Sequence, residues 1–281
     1  MPRKTVKVAI MYDFDKTLSP KDMQEYDFIP DIGIKPSAFW KESNDLAKNN
    51  NMDKILAYMY LMIKKAGENN IPITRESFVG KGKHVELFKG VTTWFDRVNE
   101  YGKTKGIVIE HYIISSGLKE IVEGTPIADK FTKIYASEFY YDVNKVAKWP
   151  AMAVNYTSKT QFLFRINKGV LDVTDDFEIN RYIQKEDRVI PFTNMIYIGD
   201  GFTDVPCMKL VKVNGGHSIA VYQPGSTTKK ETAEKLIQEN RVNFMAGADY
   251  SAGKTIEKIV FGIVDKVYAD SIVNKMKSKL L

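Results

Sequence analysis

Asp13-Phe14-Asp15-Lys16-Thr17-Leu18 places two aspartates two residues apart, in the part of this sequence best suited to do chemistry. A carboxylate that attacks phosphorus holds the phosphoryl group covalently and splits one difficult transfer into two easier steps. A second carboxylate that reaches the far side of the same phosphorus can protonate the leaving oxygen and later activate water. A second acidic cluster, Gly199-Asp200-Gly201-Phe202-Thr203-Asp204, has the composition of a cation site. Magnesium takes oxygen ligands and is usually held by one or two carboxylates with phosphate and water. Asp200 can supply one such ligand, with glycines on either side letting the backbone approach closely. Ser115-Ser116-Gly117 offers hydroxyl and amide donors for phosphoryl oxygens, and Lys159 offers a charge to offset a phosphoryl group among carboxylates. Each piece alone also suits an ordinary turn, helix cap or surface position. Their order and setting are what distinguish them.

The elements that must position these residues are legible as apolar runs with chemical ends. Val6 to Tyr12 is a short apolar, β-branched run that meets its first carboxylate at Asp13, as a buried strand does where it reaches solvent. Glu110 to Ile114 runs into Ser115, and Asn194 to Ile198 runs into Gly199-Asp200, each with helical sequence expected after it. In an open α/β sheet, ligands bind outside the carboxyl ends of the strands, so these three ends can form one site.

Residues 19–88 have a different character. Asp53 to Ile63 predicts a helix and Thr74 to Phe78 the start of another, in a stretch too long for a simple crossover and too apolar for a linker. This predicts a small helical cap domain at 19–88, inserted into a core formed by 1–18 and 89–281. The chain returns to the core at Lys89 to Phe95. Lys133 to Tyr141 and Ala151 to Tyr156 predict strands or a hairpin, and Thr157 or Ser158 is expected to cap a helix that begins near Lys159. The polar stretch from Gly169 to Pro191 has no assigned role. The tail, Lys254 to Leu281, has helical apolar spacing with many lysines and predicts a helix packed on the core with a solvated outer face.

Composition bounds the function. The chain has 281 residues, 44% hydrophobic and 27% charged, which is the balance of a folded globular protein. Its 41 lysines and arginines outnumber 35 acidic residues for a formal charge of +6, and the basic residues form no long block, so nucleic acid is not called for. Cys207 is the one cysteine, which excludes an internal disulfide framework and fits a reducing compartment. The first residues leave no room for a signal-peptide apolar region, and no apolar run is long enough to span a bilayer. The expected location is cytoplasmic, with no membrane or nucleic-acid partner. Oligomeric state is not legible.

The succession of a paired-carboxylate strand end, a serine strand end, a lysine and a Gly-Asp-rich strand end resembles the haloacid dehalogenase superfamily. The resemblance covers most of the chain and implies a Rossmann-like parallel sheet core with an inserted helical cap, an α/β fold. It implies Asp13 as nucleophile and magnesium ligand, and Asp15 as general acid/base that lends its backbone carbonyl to the metal. Thr17 supports that loop. Ser115 matches the phosphate-binding serine, with Ser116 as the adjacent alternative and Gly117 beside it. Lys159 matches the lysine that steadies nucleophile and phosphoryl charge, with Lys168 as the fallback. Asp200 matches a magnesium ligand, and Asp204 the acidic residue that orders the metal waters or the lysine.

Within the superfamily, Asp15 argues for phosphoryl transfer over dehalogenation, and the lack of membrane spans argues against the ion-pumping ATPases. The helical insert resembles the cap of the phosphoserine phosphatase-like group. Serine is not implied as the substrate, because Asp22 stands where that group carries a glutamate, and Lys16 stands where a small residue is more usual. The expected activity is magnesium-dependent hydrolysis of a small phosphorylated metabolite through an aspartyl-phosphate. Phosphotransfer to another acceptor, or phospho-ligand binding without catalysis, are the alternatives. Arg75 is the one arginine between the first motif and Lys89. Because guanidinium groups take anions bidentately, it is the candidate anchor for a remote anionic part of the substrate.

Overall fold

The first strand is apolar at nearly every position because both of its faces are covered. Val8, Ile10 and Tyr12 pack into one core cluster while Ala9 and Met11 pack into another on the opposite face. This is the period-two alternation of a strand sandwiched between helical layers. The computed structural model describes residues 5–277. Its strands are β1 (Val6–Tyr12), β2 (Ile107–Leu118), β3 (Lys133–Tyr141), β4 (Ala147–Met152), β5 (Met195–Gly199), β6 (His217–Tyr222) and β7 (Phe244–Gly247). They form a seven-stranded sheet in the order β4-β3-β2-β1-β5-β6-β7. All pairings are parallel except β3 with β4, which is antiparallel. The order reverses at β1, so the carboxyl ends of β1, β2 and β5 border the crevice where ligands bind in doubly wound sheets.

Between β1 and β2 the chain builds a helical insertion of α1 (Phe28–Asp31), α2 (Pro36–Asn49), α3 (Lys54–Glu68) and α4 (Arg75–Lys81), then returns through α5 (Val91–Thr104). Asp53 caps α3 by accepting from the Ile55 and Leu56 amides, and Thr74 caps α4 by accepting from Ser77. The insertion shares its core with one sheet face, through Phe28, Phe39, Tyr58 and Phe78. Phe78 also stacks on Phe139 of β3 at 5.6 Å. The remaining helices are α6 (Lys119–Glu123), α7 (Lys159–Lys168), α8 (Asp176–Asn180), α9 (Val205–Val213), α10 (Thr227–Gln238) and α11 (Thr255–Lys277). Among the described residues, no helix is long and apolar enough to cross a membrane.

Four local expectations need correction. The strand β2 begins at Ile107 and continues through Ser115-Ser116-Gly117 to Leu118, with an irregular register against β3 between Ile114 and Leu118, so the serines sit on a bulged strand end. The helix after it, α6, has only 5 residues. The hairpin partner β4 lies at 147–152, earlier than expected, because Pro150 is tolerated on a sheet edge where its missing N–H breaks no ladder. The turn before α7 is closed by Asn155, whose Oδ1 accepts from the Thr157 and Ser158 amides, and no side-chain cap bond comes from Ser158 to the helix.

The stretch 169–191 packs around α7 as turns and the short helix α8. Arg165 donates to the carbonyls of Asp172, Val173 and Asp175 there. The tail helix α11 buries Ile256, Val260, Ile263, Val264 and Val267; the last residues of the expected helix, 278–281, lie outside the described ones.

Candidate active site

The β1 ladder ends when the Asp13 amide donates to the Ile198 carbonyl of β5 at 2.9 Å. The next turn then folds back on itself: Phe14 donates its amide to Asp13 Oδ1 at 2.8 Å, and Lys16 adopts a left-handed backbone at φ 59°. Asp13 is thereby fixed with Oδ1 on its own backbone and Oδ2 free to face across the sheet. There it meets Lys159, whose Nζ lies 3.1 Å from Asp13 Oδ2 and 2.7 Å from Asp204 Oδ1. Lys159 is the first residue of α7 and fully buried. Burial opposes its charge, but the Asp13 and Asp204 carboxylates outweigh that cost and hold the ammonium above its ordinary pKa.

Asp15 points the other way from the same turn. Its Oδ1 accepts from the Met23 amide at 2.8 Å. A side chain at Gly117 would strike Met23 Cε at 2.2 Å and crowd Asp15 Oδ2 at 2.9 Å, so glycine there makes room for the carboxyl group. Burial above all, then the charges of Asp22 and Asp13, push the Asp15 carboxyl well above the ordinary range. A carboxyl group shifted toward its protonated form is suited to donate a proton to a leaving oxygen.

A cavity of about 440 Å³ opens over these residues. Asp13, Asp15, Ser115, Ser116 and Asp200 all line it, together with Lys16, Asp22, Ile55, Phe202 and Lys229. Ser115 is fully buried, and its Oγ accepts from the Gly117 amide at 3.1 Å. Lys16 binds both oxygens of Asp22, at 2.8 and 2.6 Å. A larger hollow of about 750 Å³ lies at the opposite end of β1, against α11, and holds none of these groups.

Asp13, Asp200 and Asp204 bring carboxylate oxygens within 4.8 Å of one another. Among the described residues, the Lys159 ammonium is the one cation buried against these three carboxylates, which leaves an excess of negative charge. Burial, and then the charge of Asp13, push the Asp200 carboxyl up to about 6 and that of Asp204 up to about 7. Asp204 Oδ2 is buried without a hydrogen-bond partner. An all-oxygen cluster with surplus charge and an unsatisfied acceptor fits a hard divalent cation, whose own charge favours the ionised forms.

Not every expected residue reaches this site. Thr17 is buried with its carbonyl held by the Tyr250 hydroxyl at 2.9 Å, and neither it nor Gly117 lines the cavity. Arg75 pairs with Glu123 of α6 on the surface and does not line the cavity either. Lys168, the fallback for Lys159, spends its ammonium on the carbonyls of Ile179 and Arg181. Met23, Tyr197 and Lys229 join the site without a signal in the sequence. Tyr197 donates to Asp204 Oδ1 at 2.8 Å, and Lys229 Nζ stands 3.8 Å from Asp200 Oδ2. Tyr197 is an apolar-looking strand residue two before Gly199, and only its inward-facing hydroxyl would have signalled a role.

The family model for haloacid dehalogenase-like hydrolases matches residues 10–209, a span from β1 into α9 that contains Asp13, Ser115, Lys159 and Asp200. The chain belongs to that family. Haloacid dehalogenase-like hydrolases are commonly phosphatases, and the helical insertion between β1 and β2 is the cap arrangement of part of the family. A Borreliella burgdorferi protein, itself uncharacterized, is 29% identical over 287 residues, which span 92% of this chain and 96% of that protein. Among solved structures, a probable phosphoserine phosphatase from Vibrio cholerae superposes with a TM-score of 0.58 at 12% identity, covering 96% of this chain and 68% of its own. A phospho-aspartyl intermediate analogue of phosphoserine phosphatase gives 0.52 at 14% identity, covering 91% and 98%. At these identities the likeness is one of fold.

Proposed function

We propose that this haloacid dehalogenase-like hydrolase is a magnesium-dependent phosphomonoesterase that works through an aspartyl-phosphate on Asp13, with 19–88 as the cap over a core of 1–18 and 89–281. The observation that carries the reading is the division of labour between two carboxyl groups of one turn. Asp13 is ion-paired and faces the buried lysine, while Asp15 is pushed toward its protonated form on the same cavity wall.

An Asp13 carboxylate oxygen attacks the phosphorus, the bond from phosphorus to the substrate's ester oxygen breaks, and that oxygen takes the proton of Asp15. Asp15, now a carboxylate, removes a proton from water as the water oxygen attacks the phosphorus, which frees Asp13 and inorganic phosphate. Ser115 and Ser116 offer donors to the phosphoryl oxygens, and Lys159 holds Asp13 in place and offsets charge that builds on the transferred group. Asp13 and Asp200 are the residues that would hold magnesium, with Asp204 behind them securing Lys159. Bound there, the cation offsets the repulsion between a phosphate dianion and the carboxylates.

The test is turnover of a small aryl phosphate with magnesium, by the wild type and by Asp13→Asn. Turnover that stops in excess chelator and is absent in Asp13→Asn supports the reading. Undiminished turnover in either arm overturns the metal or the nucleophile assignment, respectively.

A further inference from the structure

The helix α3 of the insertion touches the catalytic machinery at two points, and one of them joins two helix caps. Asp53 is the N-cap of α3, where Oδ1 accepts from the Ile55 amide at 2.8 Å and the Leu56 amide at 3.2 Å. Its other oxygen, Oδ2, accepts from Asn155 Nδ2 at 2.8 Å. Asn155 in turn closes the turn into α7. Its Oδ1 accepts from the amides of Ser158 at 2.9 Å and Thr157 at 3.0 Å and from the Thr157 hydroxyl at 2.7 Å, and its carbonyl accepts from the Lys159 amide at 3.0 Å. The two backbone donors dictate which end of the carboxamide is oxygen, so the amide nitrogen must face Asp53. One turn further along α3, the Tyr58 hydroxyl donates to the Ser116 carbonyl at 2.7 Å. Ser137 Oγ of β3 donates to that same carbonyl at 3.1 Å.

We infer that Asp53 and Asn155 are a pair of positioning residues, a latch through which the seated position of the insertion sets the placement of Lys159 against Asp13. Lys159 is the residue that follows the Asn155 turn, and its side chain is fully buried with no slack between Asp13 and Asp204. A shift of the turn therefore moves the ammonium. Tyr58 makes the same connection to the Ser115-Ser116 strand end, so α3 braces both sides of the phosphoryl position. With the insertion seated, lysine and serines are aligned; with α3 displaced, the Asp53–Asn155 bond that orients the carboxamide closing the turn into α7 is lost. Positioning of this kind matters because small misplacements of reacting groups cost about a hundred-fold in rate.

The inference rests on the roles proposed above for Asp13 and Lys159, and the chemistry of the pair supplies a test that separates it from them. Asp53→Asn keeps an oxygen for the α3 amides but sets two amide nitrogens face to face. Asn155→Asp keeps an oxygen for the α7 turn but sets two carboxylates face to face. The double exchange, Asp53→Asn with Asn155→Asp, preserves both caps and restores a donor to an acceptor with its direction reversed. Each single change is expected to lower kcat on an aryl phosphate by about ten- to a hundred-fold with KM changed less than about three-fold. The exchange is expected to recover most of that loss. A second readout needs no turnover: in protein labelled with 15N-lysine, the Lys159 ammonium resonance should shift or broaden in each single variant and return in the exchange.

Single variants with wild-type kcat and an unmoved Lys159 resonance overturn the latch. So does an exchange no better than the worse single variant in both readouts. If the wild type hydrolyses no phosphomonoester, the proposed function fails, and the latch is then decided by the ammonium resonance alone.

Discussion

The ammonium of Lys159 lies 2.7 Å from Asp204 Oδ1 with both side chains closed to solvent. Neither group lines the cavity over Asp13 and Asp15, yet the pair fixes the ammonium that faces Asp13. Removing one member of a buried ion pair leaves the other uncompensated, which costs about 3–5 kcal/mol. Lys159→Met is therefore expected to destabilise the protein by about that amount at neutral pH and to abolish turnover, as measured by urea unfolding and aryl phosphate hydrolysis. Because Lys159 lowers the Asp204 pKa, the orphaned carboxyl takes up its proton above neutral pH, so the stability loss should be larger in alkaline buffer and level off at and below pH 7. Unchanged urea midpoints would mean that the pair is not the anchor described.

Asp15→Asn separates the two proton transfers from the nucleophilic step. The variant keeps an acceptor for the Met23 amide but has no proton to give to the leaving oxygen and no base for water. General acid–base contributions are about 10²–10⁴-fold. Alkyl phosphates, whose leaving groups need the proton, should lose rate near the upper end of that range. An aryl phosphate should lose less in the first step and leave a trapped phosphoenzyme, visible by mass spectrometry. Equal losses for both substrates would remove Asp15 from the role of acid.

His111, which does not line the cavity, gives the stability a pH dependence. It is buried on β2 between the Tyr12 hydroxyl at 3.0 Å and Asn99 Oδ1 at 3.1 Å, and burial lowers its pKa from 6.5 to about 3. The unfolded chain thus binds a proton that the folded chain refuses. Stability tied to His111 is fully present above about pH 6.5 and falls as pH drops toward 3, by about 1.4 kcal/mol per pH unit inside that window. Urea unfolding at pH 7 and pH 5 should show the loss, and His111→Gln should flatten the difference between the two. A slope unaltered by the substitution would assign the acid sensitivity to the carboxylates.

Arg75→Lys is expected to change turnover of an alkyl and an aryl phosphate equally, by less than about two-fold, since half-exposed ion pairs contribute little. The guanidinium is occupied by Glu123, outside the cavity lining. A selective loss with one substrate, measured as kcat/KM, would return Arg75 to the role of substrate anchor.

Much of this protein is local information. The strand that ends at Asp13 and the strand that ends at Asp200 are apolar runs cut off by carboxylates, and such ends betray themselves because a strand covered on both faces tolerates charge only where it meets solvent. The helices of the insertion announce themselves through Asp53 and Thr74, whose side chains satisfy amides only a few residues away. The order of the four chemical segments pointed to the family for the same reason: it is written along one dimension.

Convergence is different, because it depends on how crossovers and strand order bring distant segments together. Met23 aims Asp15, Tyr197 steadies Asp204, and Asp53 meets Asn155 across 102 residues of chain, none of which leaves a periodic trace. Pro150 reads as a strand breaker until the sheet order makes β4 an edge. Arg75 had the right chemistry for an anchor, and only the packing of α4 beside α6 gave its charge to Glu123. Residue type and spacing determined which groups this chain has to work with, since those follow from local pattern. Which of them face one another was decided by the tertiary structure, since burial allows a charge to stay only where a partner arrives.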